Sequence, residues 1–291
     1  MSSQTAPVVV GYDGSSASRA ALRWATAEAI REHATLRIAE VFEVVVMTRP
    51  TPGTVVPLAA MRTARERGLE ALAESIRLQH PRLTVETVLV EGVPAASLLE
   101  ETEQARMVVL GSRGLGGWTG LLLGSVAVQV STHAHCPIVV VPADVRPRMH
   151  DKPTIVVGVD GSKASAKAVG FAFDQAEEHN AKVVAVHAWT SPYSTYTSGE
   201  GDLLFDQSQV EEASRLIVSE SLAGAAAAHP DVEHEVRLIS GQAARALLIA
   251  AESADLVVVG SRGRGGFTGL LLGSVSQTVL HHTHCPVAIV R

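Results

Sequence analysis

The chain predicts an α/β fold: two tandem doubly wound sandwiches, each a mostly parallel five-stranded sheet with helices on both faces. Three observations carry this expectation. The first is a repeat: GSRGLGGWTGLLLGSV at 111–126 returns almost unchanged as GSRGRGGFTGLLLGSV at 260–275. Val-Gly-Tyr-Asp-Gly-Ser at 10–15 likewise matches Val-Gly-Val-Asp-Gly-Ser at 157–162, an offset of 147 residues. His135-Cys136-Pro137 matches His284-Cys285-Pro286, an offset of 149. Such a period is the size of an ordinary domain and too long for a solenoid repeat. The second observation is that Val8-Val9-Val10, Met107–Leu110 and Leu256–Val259 are apolar throughout. Alternation would leave one face wet, whereas continuous hydrophobicity fits a parallel sheet covered on both faces. The third is that short β-branched runs alternate with Ala-rich amphipathic segments, the rhythm of βαβ units.

Element by element, Pro7–Tyr12 reads as a strand, Ser15–Glu32 as a helix behind an Asp-Gly-Ser start, and Thr35–Phe42 as a strand. A helix near Ala59–His80 precedes strand Thr84–Val90, helix Pro94–Glu103 and strand Arg106–Ser112. A glycine loop, a helix from about Ser125 and a last strand Pro137–Val141 complete the unit. The second half repeats this order from strand Thr154–Asp160 to strand Pro286–Val290. The Pro- and charge-rich run around 142–153 reads as a connection, giving domains at 1–143 and 154–291 joined by a linker at 144–153.

Composition narrows the function classes. With 46% hydrophobic and 19% charged residues, 291 residues can bury two cores. A net charge of −6 and the lack of a basic tract argue against nucleic acid as a partner. No apolar run approaches the roughly 20 residues of a membrane span, and the first residues do not read as a secretory signal. Two cysteines in equivalent positions of separate domains suggest a reduced, cytoplasmic protein.

Both long repeats share the spacing G-x-x-G, nine residues, G-S: Gly111, Gly114, Gly124-Ser125 and Gly260, Gly263, Gly273-Ser274. Glycine loops running into a helix start suit phosphate, because backbone N–H groups can converge there and the helix start adds a partial positive charge. The loop segments expected to contribute are Ser112, Arg113, Leu115, Gly116, Gly117 and Val126, with Ser261, Arg262, Arg264, Gly265, Gly266, Val275 and Ser276 opposite them. Gly-Lys-[Ser/Thr] is absent, so this is not a Walker loop, and it follows the fourth strand rather than the first, unlike the dinucleotide fingerprint. In doubly wound sheets ligands sit at the carboxyl ends of strands where the order reverses. If the first strand neighbours the fourth, Gly11 and Asp13, and Gly158 and Asp160, join the loops in two clefts.

These motifs together (V-G-x-D-G-S, Gly92-Val93-Pro94-Ala95, G-x2-G-x9-G-S and H-C-P before an apolar strand) resemble the universal stress protein family, in its tandem, ATP-binding form. The resemblance covers nearly the whole chain twice. It departs at Gly241-Gln242-Ala243, where the proline is missing. It implies a Rossmann-like fold, one ATP per domain with adenine beside Val41 and Ala188, and domains paired through their last strands. A homodimer of the whole chain and an unidentified downstream protein complete the expected partners.

Some residues keep two readings. Asp13 and Asp160 can contact the ligand or Mg²⁺, or can cap the following helix. Arg113 and Arg262 can offset phosphate charge or stand as solvated loop cations. The cluster His133, His135, Cys136 with His281, His282, His284, Cys285 reads as core cysteines and helix-end histidines rather than a metal site. Trp118 and Phe267 read as packing between domains or protomers, and Trp24 and Phe171 as core. No lysine or evident general base marks the loops, so a nucleotide-dependent regulatory module is expected rather than an enzyme. The alternatives are a slow ATPase or nucleotidyl transferase on the same fold, and a dimeric scaffold without nucleotide.

Overall fold

The computed structural model describes residues 6–43, 58–115, 123–145, 152–189, 207–264 and 272–291. The chain divides into two compact units, Met1–Asp144 and Val145–Arg291. In the first, β1 (Val8–Gly11), α1 (Ser16–Arg31), β2 (Leu36–Phe42), α2 (Leu58–Gln79) and β3 (Val85–Glu91) come in order. They are followed by α3 (Pro94–Glu101), β4 (Met107–Gly111), α4 (Ser125–His133) and β5 (Ile138–Val141). The second unit opens with β6 (Thr154–Gly158), α5 (Lys163–His179), β7 (Lys182–Trp189), α6 (Gln207–Ala228) and β8 (His234–Ser240). It closes with α7 (Ala243–Ala251), β9 (Leu256–Gly260), α8 (Ser274–His282) and β10 (Val287–Val290). Gly116, Gly117, Trp118, Gly265, Gly266 and Phe267 lie outside the described residues.

Strands run β3-β2-β1-β4-β5 in the first sheet and β8-β7-β6-β9-β10 in the second, with parallel pairing throughout each. First and fourth strands are neighbours, in register from Val8 opposite Met107 to Val10 opposite Val109. The order therefore reverses between them. Right-handed crossovers to either side of that reversal put helices on opposite faces. In the second unit α5 accordingly packs on α6, and α7 on α8.

The all-apolar strands are buried on both faces. Val8, Val9, Val10, Val108 and Val109 are fully inaccessible, as are Val257 and Val258. α2 shows the opposite pattern, burying only Leu69, Ala73 and Ile76, which are spaced four and three apart along one face. Helices α1 and α5 are capped by Ser15 and Ser162, whose hydroxyls accept the N–H of Ser18 and Ser165 at 3.1 Å each. The cap is thus the serine, not the aspartate two residues before it. α7 starts at Ala243, where α3 has Pro94, so the missing proline does not move the helix start.

Two aromatic expectations need correction. Trp24 and Phe171 are only half-buried, and the fully buried aromatic of α5 is Phe173. Phe171 and Phe173 are two residues apart, about 200° around a helix, so only one can face the sheet. Phe173→Ala should destabilise the chain by about 3–5 kcal/mol, and Phe171→Ala by far less. Denaturant midpoints of the two variants measure the difference, and equal losses would contradict this placement.

Candidate functional site

The site begins with one carboxylate per domain. At the end of β1, Asp13 accepts the Ser15 N–H on Oδ1 at 2.9 Å and the Leu115 N–H on Oδ2 at 2.8 Å. Asp160 does the same after β6, taking the N–H of Ser162 and that of Arg264, each at 2.9 Å. One oxygen closes the local turn and the other holds the loop that leaves the neighbouring strand. The turn needs Gly14 and Gly161 at φ +81° and +74°, the left-handed region that side chains rarely adopt. The cap serines add a second tie, their hydroxyls donating to the carbonyls of Arg113 and Arg262 at 3.2 and 3.4 Å. For Asp13, burial works against the charge. Hydrogen bonds from Ser15, then Leu115 and Ser18, outweigh it and hold the carboxyl below its usual range.

The loop glycines answer to this frame, and none of the described ones uses a positive φ. A Cβ on Gly111 would lie 2.6 Å from the backbone of Ala17, and one on Gly260 2.9 Å from that of Ala164, so these glycines let the strand end sit on α1 and α5. A Cβ on Gly114 would come within 2.6 Å of Asp13 Oδ2, and one on Gly263 would strike Asp160 Oδ2. At these two glycines the close neighbour within the protein is the carboxylate. Gly124 and Gly273 differ again. A Cβ there would meet nothing nearer than 3.5 Å. They are the N-caps of α4 and α8, in extended conformation and with no side-chain cap. The glycine thus leaves the first N–H groups of each helix uncovered, where a serine or aspartate would have satisfied them.

Around this frame, among the described residues, lies a cavity in each unit, of about 640 Å³ in the first and about 470 Å³ in the second. Both lie within the size range of small-molecule sites. In the first, Gly11, Asp13 and Val41 from the strand ends meet Gly111, Arg113, Gly114 and Leu115 from the loop. Gly124, Ser125 and Val126 of the helix start close it. In the second, Gly158, Asp160 and Ala188 face Gly260, Arg262, Gly263 and Arg264, with Gly273, Ser274, Val275 and Ser276 opposite. Two expected residues do not line their cavity. Ser112 and Ser261 are buried and give their N–H groups to the carbonyls of Val141 and Val290, at 2.9 and 2.7 Å. Ser276 lines the cavity, but its hydroxyl donates to the Gly260 carbonyl at 2.7 Å and so pins the strand end.

Several lining residues escaped the sequence reading. Leu98 and Leu247 of α3 and α7 wall equivalent sides of the two cavities, and their common offset of 149 was a usable signal. Tyr12, Glu40, Glu43 and Arg65 line only the first. Cys136 and Cys285 are buried, burial pushing the Cys136 thiol up to about 12, and the His133 ring faces the Gln129 carbonyl at 3.0 Å.

The tie at Asp13 has a pH signature. Its folded pKa is lowered, so its contribution is complete above the ordinary value of 3.8 and is lost as pH falls through the lower folded value. The side-chain carboxyl, followed by NMR, should titrate below 3.8. A midpoint at or above 3.8 would contradict the bonding described.

The universal stress protein family model matches this chain twice, over residues 5–142 and 153–291. A universal stress protein of Mycobacterium tuberculosis is 36% identical over 296 residues, spanning 98% of this chain and 96% of the relative. Among solved structures, a universal stress protein of Archaeoglobus fulgidus aligns over 99% of both chains with a TM-score of 0.72 at 21% identity, a likeness of fold. Another universal stress protein, solved in complex with cAMP, is 32% identical over 49% of this chain and 99% of its own, with a TM-score of 0.37. With two matches to the family model, each over one compact unit, the chain belongs to the universal stress protein family.

Proposed function

We propose that each domain binds one ATP, accompanied by Mg²⁺, and that occupancy rather than catalysis is the output. The observation that carries this reading is the glycine-capped start of α4 and of α8, open towards a cavity whose other side is the loop held by Asp13 or Asp160. An anion there would meet uncovered N–H groups at the positive end of a helix dipole. Each neutral hydrogen bond nets only about 0.5–1.5 kcal/mol, while micromolar affinity needs about 8 kcal/mol. Apolar burial of a base must supply much of the rest. Val41, Leu98 and Leu110 in the first cavity, and Ala188, Leu247 and Val259 in the second, offer that surface.

Hydrolysis has little to work with. No lysine is among the lining residues described, and both oxygens of Asp13 and Asp160 already accept backbone N–H groups. Efficient phosphoryl transfer needs a positioned nucleophile and clamps on the transferring group. The protein would then act as a cytoplasmic nucleotide-dependent regulator, homodimeric, read by a downstream protein. Among the described residues no helix is long and apolar enough to cross a membrane.

Two measurements test this. Titration calorimetry of nucleotide-free protein should find two ATP per chain, falling to about one in Gly114→Val or Gly263→Val with circular dichroism little changed. A stoichiometry of two in both variants would show that the loops do not form the sites. Mass spectrometry of native protein that finds no nucleotide, with no heat of ATP binding, would favour the scaffold reading instead. Turnover should stay well under about 1 s⁻¹. A faster rate that disappears in Asp13→Ala and Asp160→Ala would make the protein an enzyme.

A further inference from the structure

The two cavities share a backbone but differ in charge. Among the described residues, Asp13, Glu40 and Glu43 line the first against Arg65 and Arg113, and Asp160 stands against Arg262 and Arg264 in the second. Arg65 is already committed: it pairs with Glu40 and lies over the Phe42 ring, 5.5 Å from its centroid. With that pair set aside, the described lining of the first cavity keeps two carboxylates and one guanidinium, and that of the second one carboxylate and two guanidiniums.

The divergence traces to how one backbone carbonyl is served. In the second unit the Gly161 carbonyl accepts Nη2 of Arg264 at 3.0 Å, which holds that guanidinium at the cavity mouth. In the first unit the equivalent Gly14 carbonyl takes its hydrogen bond from Arg19 of α1, which does not line the cavity. The position matching Arg264 is Leu115, 73% exposed. The same turn is thus satisfied from outside in one domain and from within the site in the other.

We propose that the second site selects nucleotides by the charge of their phosphate chain, strongly preferring triphosphate over monophosphate. The first site is comparatively indifferent to phosphate number, and the pair Leu115/Arg264 determines the difference. This rests on the reading of each cavity as a nucleotide site. Guanidinium donates several N–H groups in a fixed fork that suits phosphate oxygens, and each added phosphate brings more negative charge to meet it. In the first cavity the one carboxylate in excess opposes the same charge.

The test compares ATP with AMP at single sites, using Gly263→Val to leave the first and Gly114→Val to leave the second. The ATP-to-AMP affinity ratio should be about tenfold larger at the second site, the scale of one charge-assisted hydrogen bond. The excess should shrink as KCl is raised from about 0.05 M to about 0.5 M and the Debye length contracts. Arg264→Leu should bring the second site's ratio down to that of the first, and Leu115→Arg should raise the ratio of the first. Where a blocking valine unfolds the chain, wild type gives the same comparison: two ATP affinities that converge at high salt, against one AMP affinity. Nucleotide bound at both sites with equal ratios, or a ratio indifferent to Arg264→Leu, overturns this inference and leaves the nucleotide reading standing. No nucleotide bound by wild type overturns both.

Discussion

One carboxylate in each domain joins two loops that lie 102 residues apart in the first and 104 in the second. Strand pairing brings β1 beside β4, but it does not say where the chain goes on leaving the sheet. Asp13 and Asp160 do, by accepting an N–H from each side of the strand-order reversal. A hydrogen bond to a charged group is worth about 1.5–3 kcal/mol, roughly twice a neutral one. It also orients the neighbouring loop and cap. Gly114 and Gly263 are bare because the carboxylate fills the space, and the cap serines reach across to the same loops. The helix start opposite is then left facing a cavity instead of a side chain.

This separates two tasks. Main-chain groups around the carboxylate make a polar floor, while the ends of β2 and β7 and the flanks of α3 and α7 make an apolar wall. The wall differs in bulk between the domains, with Val41 in one and Ala188 in the other. The rim differs in charge. The floor is the part that the two domains hold in common.

The fold was legible because its signals are local and doubled. Apolar runs such as Val8-Val9-Val10 cannot serve a half-wet sheet, and the observed strands fall within one or two residues of those read from sequence. The positions of the site were legible for the same reason: Gly111, Gly114 and Gly124 recur with identical spacing. Their reasons were not. A sequence shows that a Cβ is missing but not what would have met it, and here the answers were a helix backbone, a carboxylate and ordinary van der Waals contact. The Glu40–Arg65 pair joins a strand end to a helix 25 residues later and has no periodic signature. Phe171 and Phe173 are equally hydrophobic, and only the phase of α5 against the sheet decides which is buried.

A cavity floor made of peptide groups has an evolutionary consequence. Peptide N–H groups are supplied by every residue except proline, so most substitutions in the loop leave them intact. After a gene duplicates, such a floor survives drift, and the side chains at its margin are free to diverge. Leu115 and Arg264 record that freedom within a single chain: the same N–H meets the same carboxylate oxygen, while one side chain is an aliphatic and the other a cation. Tandem duplication here preserves a scaffold and releases its margin, so that one polypeptide carries two related cavities without the two being copies.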